Sequence, residues 1–90
     1  MNGITQRIWT YELTSGTLTI DESFGLCAIS ILLKSGTGTV TGNLILENGV
    51  SSAPINLEAG NPLTLGGLNG VSLDGIDITT SGVISIIGRQ

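Results

Sequence analysis

The fold is decided by the stretch Leu26-Cys27-Ala28-Ile29-Ser30-Ile31-Leu32-Leu33. Side chains alternate between the two faces of a β-strand, which places Cys27, Ile29, Ile31 and Leu33 on one face. The other face, with Ala28 and Leu32 around Ser30, is also mostly apolar. Because both faces are apolar over so short a run, we predict a strand in the middle of a sheet.

Turn signals recur on either side of this strand about every eight to twelve residues, with apolar alternation between them. The turns are Ser15-Gly16, Asn48-Gly49, Asp74-Gly75 and Ser81-Gly82. Predicted strands cover 8–13, 17–20, 26–33, 39–47, 55–57, 63–65, 71–73, 76–79 and 83–87. No segment keeps helical spacing for long enough to form a helix. The pattern predicts an all-β fold, a compact antiparallel β-sandwich, jelly-roll-like, with about eight to nine short strands.

The low charge content indicates surfaces that are covered by other proteins. Charged residues make up 11% of the chain, against about 25% in an ordinary soluble domain. A chain of 90 residues forms one domain with a small core, and its single cysteine cannot form an internal disulfide. Small domains without disulfides or metals gain stability by oligomerising. We expect one domain over residues 7–90 that binds other subunits; a monomer with an uncharged surface is the alternative.

Charge and hydropathy argue against nucleic acid and membrane as partners. The net charge is −4, and the basic residues are Arg7, Lys34 and Arg89. A phosphate-binding surface needs clustered cations, which this sequence lacks. No stretch approaches the ~20 apolar residues of a membrane span, and no secretory signal is predicted at the start. The unpaired Cys27 indicates synthesis in a reducing cytosol.

The residue types offer no recognisable catalytic constellation. Histidine, the commonest general base, does not occur in the sequence. Lys34 beside Ser35 is the one conceivable nucleophile pair, and a solvated lysine at a turn explains it better. Cys27 has no cationic neighbour to activate it and is interpreted as a small core residue. We therefore predict a non-enzymatic protein without catalytic residues.

Two regions resemble ligand sites only superficially. The glycine-rich run 36–42 differs in spacing from a phosphate-binding loop, and no helix or lysine of the required kind follows it. Asn69, Asp74 and Asp77 could offer oxygens to calcium, which needs about six to eight of them. Turn chemistry explains Asp74, and an exposed strand position explains Asp77. We predict neither a cofactor nor a metal.

The residues nearest the N-terminus form the predicted contact surface. Residues 1–6 lack alternation and form either a disordered end or an arm that becomes ordered beneath a neighbouring subunit. Trp9 and Tyr11 share one face of the first strand, which suits a core, a subunit interface or a platform for stacking sugars. The interface residues that we predict are Ile4, Arg7, Trp9 and Tyr11.

Five segments carry a resemblance to a known class of proteins. They are CAISILL at 27–33, SGTGTVTG at 35–42, PINLEAG at 54–60, LDGIDI at 73–78 and ISIIG at 84–88. Together, over about residues 17–88, they resemble small structural proteins of tailed bacteriophage particles. The resemblance implies a β-sandwich or jelly roll that decorates heads or completes necks, tails or baseplates, often as a trimer.

These observations support one leading hypothesis and two others. The leading hypothesis is a virion structural protein, made in the host cytoplasm, that acts as a capsid decoration or cement subunit. It is expected to bind copies of itself as a homotrimer and other virion proteins such as a major capsid protein. The alternative is a receptor- or carbohydrate-binding module of a phage fibre or baseplate, which a measurable glycan affinity would distinguish. A small enzyme or metal-dependent module is the third, and no strong motif favours it.

Overall fold

A computed structural model describes residues 7–42, 54–68 and 70–90. The predicted arm at 1–6 and the predicted Asn48-Gly49 turn lie outside the described residues. Within them the chain is nearly all β, with one short 3₁₀ turn at Glu22–Phe24 and no α-helix. The predicted all-β class is confirmed.

The described strands form one curled antiparallel sheet with the longest strand at its centre. They are β1 (Ile8–Ile20), β2 (Ala28–Ser35), β3 (Gly38–Gly42), β4 (Ile55–Asn56), β5 (Leu63–Gly66) and β6 (Ile76–Arg89). On one side, β1 pairs with β6 along nearly its whole length. On the other side, β2 and β3 share β6 between them. The sheet continues from β2 to β5 and from β3 to β4.

The described residues contain six strands rather than eight to nine, because two predicted turns lie inside long strands. Ser15-Gly16 belongs to β1 and Ser81-Gly82 to β6, and the two positions face each other where the pairing register shifts. Ser15 has a φ of 42°, and two residues of β6 stand opposite it, which is a β-bulge. Since both strands bend at the same place, they stay paired through the bend. The predicted strand at 71–73 is a loop.

The bulge decides which side chains of β1 reach the core. Before it, Leu13 is buried opposite Ile84; after it, Ile20 is buried opposite Ile76. In β1, the buried positions are odd-numbered before Ser15 and even-numbered after it. A register shift of one residue reverses the direction of every later side chain, so the bulge restores the apolar residues of β1 to the core.

The core lies on one face of the sheet, which we call the core face. Its buried aliphatic side chains come from every long strand and from the loop before β2: Leu13, Ile20, Leu26, Ile29, Ile31, Leu33, Val40, Ile76, Ile78, Ile84 and Ile86. Each large aliphatic side chain that is fully buried stabilises the fold by about 1.5–3 kcal/mol. Cys27 is also buried, in agreement with its interpretation as a core residue.

A group of hydrogen-bonded residues, which we call the bend cluster, fixes the point where the strands turn. Thr80 is only 5% exposed. Its Oγ1 donates to the carbonyl oxygen of Thr37 over 2.7 Å and accepts from the N–H of Gly82 over 3.0 Å. The Oγ of Ser81 accepts from the N–H of Thr37, and Ser15 donates its hydroxyl proton to the Ser81 carbonyl. The bend therefore joins β1, β6 and the β2–β3 connection.

Candidate protein-interaction surface

The predicted interface residues occupy the first strand and the residue before it. Ile4 lies outside the described residues. Arg7 is exposed just before β1, and its carbonyl oxygen accepts a hydrogen bond from the N–H of Gln90 over 3.3 Å. Trp9 and Tyr11 lie in the first half of β1 and are in contact with each other, and Arg7 precedes them in the chain.

Trp9 and Tyr11 share the core face, as the alternation predicts. Their rings are stacked, with centroids 5.6 Å apart and planes 8° from parallel. Phe24 meets Trp9 edge-on at 5.7 Å. Trp9 is half-buried against the core, whereas Tyr11 is 42% exposed at its margin. A sugar platform needs an open ring face, and Tyr11 covers one face of the Trp9 indole.

The largest exposed aliphatic side chains of the sheet lie on the face opposite the core, which we call the outer face. Ile8 is 62% exposed and Ile87 52% exposed. With three half-buried neighbours they form the outer patch, which consists of Ile8, Ala28, Leu32, Val83 and Ile87. Sequence reasoning missed this patch, although the doublet Ile86-Ile87 was a signal, because adjacent strand residues cannot both face the core.

A shallow depression of about 260 Å³ lies at the end of the outer patch formed by Ile8, Ala28 and Ile87. Its lining spans the ends of four strands and consists of Ile8, Ala28, Ile29, Ser30, Thr64, Ile87, Gly88 and Arg89. The row across the sheet at this level runs Thr10, Ile87, Ser30, Thr64. An isoleucine flanked by small hydroxyl side chains leaves space on both of its sides. The depression can therefore accept an apolar side chain from a partner.

The other half of the outer face carries hydroxyl groups. Thr17 and Thr79 are hydrogen-bonded across β1 and β6 over 2.9 Å. Thr19 donates to Asp77 Oδ1 over 2.6 Å on the next row. The outer face is therefore divided into an apolar half and a threonine half, and the threonine half also carries the carboxylate of Asp77.

The residues considered for calcium are held by other contacts. Asp77 accepts from the Thr19 hydroxyl, and Asp74 Oδ1 accepts from the N–H of Glu22 over 3.1 Å. Asn69 lies outside the described residues. Across the described ranges, no three histidine, cysteine, aspartate or glutamate residues are grouped as metal ligands would be.

The lysine considered as a catalytic base points across the sheet. The Nζ of Lys34 lies 3.3 Å from Glu12 Oε2, and both side chains are about half-exposed, at 49% and 60%. This ion pair joins β1 to β2 beside the outer patch. The ion pair neutralises charge near the outer patch. It also directs the Lys34 amine towards Glu12 and not towards the adjacent Ser35, for which it was considered as a base.

The loop after β5 exposes two more aliphatic side chains, Leu68 at 69% and Val71 at 55%. Two backbone hydrogen bonds tie the loop to the segment before β2: the N–H of Gly67 donates to the carbonyl oxygen of Cys27 over 2.8 Å, and the N–H of Leu73 donates to that of Leu26 over 2.7 Å. The exposed side chains here belong to a loop rather than to a continuous sheet surface, so they form a smaller candidate contact than the outer patch.

Two further findings bear on function. In the part of the chain that the structure describes, no helix has the length and apolar character needed to cross a membrane. No protein-family model matches the chain, and no curated protein or solved structure matches it either. The functional assignment therefore depends on the surface itself.

Proposed function

We propose that this chain is a non-enzymatic structural subunit of a tailed-bacteriophage virion, a capsid decoration or cement subunit that acts through protein–protein contacts. It is made in the host cytoplasm and binds copies of itself and a major capsid protein. The observation that carries this proposal is the outer patch. The resemblance of segments such as 35–42 and 73–78 to phage structural proteins is the reason for proposing a phage virion as the particle to which the chain binds.

The outer patch supports a docking role through its hydrophobicity and its shape. Apolar surface removed from water contributes about 25 cal/mol per Å², and Ile8 and Ile87 are each more than half exposed. The depression between them gives a partner side chain a place to insert. Contacts repeated over many copies of a particle add up to a strong total attachment even when each one is weak.

The threonine half of the outer face supports the same role. Burying a charged group is costly unless it is paired, whereas a hydroxyl needs only a hydrogen bond. Thr17, Thr79 and Thr19 already have hydrogen-bond partners on their own sheet. A partner can therefore cover these hydroxyl groups at little desolvation cost, provided that it offers hydrogen-bond donors to the neighbouring carboxylate of Asp77.

The jelly-roll-like sandwich is part of the proposal. A sandwich consists of two sheets, each of which is curled and turns one face to the core, as this sheet does. Bends shared by paired strands are typical of the corners of sandwiches and barrels. The bend cluster around Thr80 supports the proposal of such a corner in this fold.

Co-sedimentation tests the proposed function. The purified chain is mixed with particles assembled from the major capsid protein encoded in the same genome, and we expect it to pellet with them. The Ile87→Lys variant is expected to lose about tenfold or more in affinity, because a lysine in the outer patch must be desolvated without a partner. Leu68→Lys, which introduces the same charge at a more exposed aliphatic residue in a loop (69% against 52% for Ile87), is the control and should bind like the wild type.

Two results would contradict the proposal. One is a wild-type chain that stays in the supernatant at every concentration tested. The other is equal binding by Ile87→Lys and the wild type, with folding of both verified by circular dichroism. Specific binding to a glycan array would instead support the receptor-binding alternative.

A further inference from the structure

We propose that two copies of this chain pair through the open edge of β1, antiparallel and with Tyr11 at the two-fold axis, so that their sheets become continuous. This inference rests on the proposed function, since it names one of the partners that a structural subunit binds. The observation behind it is that β1 is a long edge strand whose first half is straight and can pair with the same segment of a second copy.

The direction of the backbone groups of β1 follows from one hydrogen bond. The carbonyl oxygen of Arg7 accepts from the N–H of Gln90, so the backbone groups of Arg7 face β6. In an antiparallel pair, residues alternate between facing the partner strand and facing away. The N–H and C=O groups that face away from β6 are therefore those of Ile8, Thr10, Glu12 and Thr14. Among the described strands, β1 pairs only with β6.

Before the bulge at Ser15, the open edge of β1 lacks the features that usually prevent strands from pairing. Natural edge strands carry proline, lysine, an inward-pointing charge or a β-bulge, or they are very short. β1 has 13 residues and contains no proline or lysine. Its one charged residue, Glu12, lies on the outer face and is held by Lys34 of the same chain. The bulge at Ser15 ends the straight part of the edge, which is Ile8 to Thr14.

A second copy fits this straight part because Tyr11 is its midpoint. Antiparallel pairing about Tyr11 places Thr10 opposite Glu12 of the second copy, and Ile8 opposite Thr14. The outward backbone groups then form about eight hydrogen bonds. The two Glu12 carboxylates do not face each other, because each has a threonine opposite it. The pairing therefore satisfies the edge without placing like charges together.

Tyr11 gains most from this arrangement. Since its backbone groups face β6, it forms a non-hydrogen-bonded pair with Tyr11 of the second copy, the kind of pair in which side chains come closest. The residue is 42% exposed and its ring is already stacked on Trp9, so the ring is held in place for contact. Two-fold pairing gives a dimer rather than the trimer that the resemblance implies, and it leaves the outer patch free to bind the particle.

Disulfide trapping tests the pairing. In the full chain with Cys27→Ala, the Tyr11→Cys variant places two thiols opposite each other, with Cβ atoms about 4.5–5.5 Å apart, close enough to bond after a small adjustment. The control Thr10→Cys, in the same background, places them diagonally at about 7–8 Å, beyond that reach. Under mild oxidation we expect at least about fivefold more cross-linked dimer from Tyr11→Cys on a non-reducing gel. Equal cross-linking of the two variants, or none, would overturn the pairing.

The native mass of the wild-type chain provides a test that does not depend on any variant. A dimer that dissociates on dilution supports the pairing, and a monomer or trimer at high concentration overturns it. The result is separate from that of the proposed function, which depends on particle binding and on Ile87→Lys. A dimer that does not bind the particle would therefore refute the proposed function alone, and a particle-binding trimer would refute the pairing alone.

Discussion

Replacing Thr80 by valine tests whether the bend cluster holds the fold together. Valine keeps the shape of the side chain but removes the hydroxyl, which donates to Thr37 over 2.7 Å and accepts from Gly82 over 3.0 Å. The Thr37 carbonyl keeps a second donor, the N–H of Ser81 at 3.1 Å, whereas the Gly82 N–H loses its partner. Leaving such a group unsatisfied costs about 1–3 kcal/mol. The extra methyl group recovers less than 1 kcal/mol, so we expect a net loss of about 1–2 kcal/mol.

Urea unfolding followed by circular dichroism measures this loss. Thr79→Val, one position earlier, is the matched control, because Thr79 is exposed and its hydrogen bond to Thr17 can be replaced by water. We expect the control to change the free energy of unfolding by no more than about 0.5 kcal/mol. A Thr80→Val variant that is as stable as Thr79→Val, with an unchanged dependence on urea, would refute the role of the bend cluster.

Two further predictions concern the strands next to the bend. Gly82→Ala is expected to lose about 3 kcal/mol or more of stability, because the Cβ of the introduced alanine would stand 2.2 Å from the carbonyl oxygen of Ser35. Gly16→Ala, whose Cβ would meet nothing closer than 3.9 Å, should stay within about 0.5 kcal/mol of the wild type in the same urea experiment. Glu12→Gln removes the exposed ion pair with Lys34 and should change stability by less than about 0.5 kcal/mol; a larger loss would show that the pair is structural.

The strands were predictable wherever local alternation alone determines them. The stretch 26–33 gives a strand because its odd-numbered residues are apolar, and Ile29, Ile31 and Leu33 are indeed buried. The stacking of Trp9 and Tyr11 on one face follows from the same rule. These predictions need no knowledge of a distant partner.

The bulges could not be told from turns for a physical reason. Ser15-Gly16 and Ser81-Gly82 have the residue types and the break in alternation that both structures require. Whether the chain reverses or only bends depends on whether a partner strand bends beside it, and here the two segments meet at one shared bulge. That information is distributed over two segments far apart in the sequence.

The candidate surface was only partly predictable for a related reason. The pair Ile86-Ile87 shows that one isoleucine must face away from the core, but the sequence does not say which one. The register with β2 places Ile86 opposite Ile31 inside and leaves Ile87 opposite Ser30 outside. The edge position of β1 likewise depends on the order of the strands, which local pattern does not specify.

The position of β6 has a consequence for how the chain is synthesised. β1, β2 and β3 all take their main partner from residues 76–89, so none of them can complete its pairing until the ribosome has made that segment. At about 5–20 residues per second, translation leaves the nascent strands uncovered for seconds. Contacts as distant as Ile8 with Arg89 also place the protein among slow folders. We therefore expect the nascent chain to bind chaperones that shield apolar segments until β6 has been synthesised.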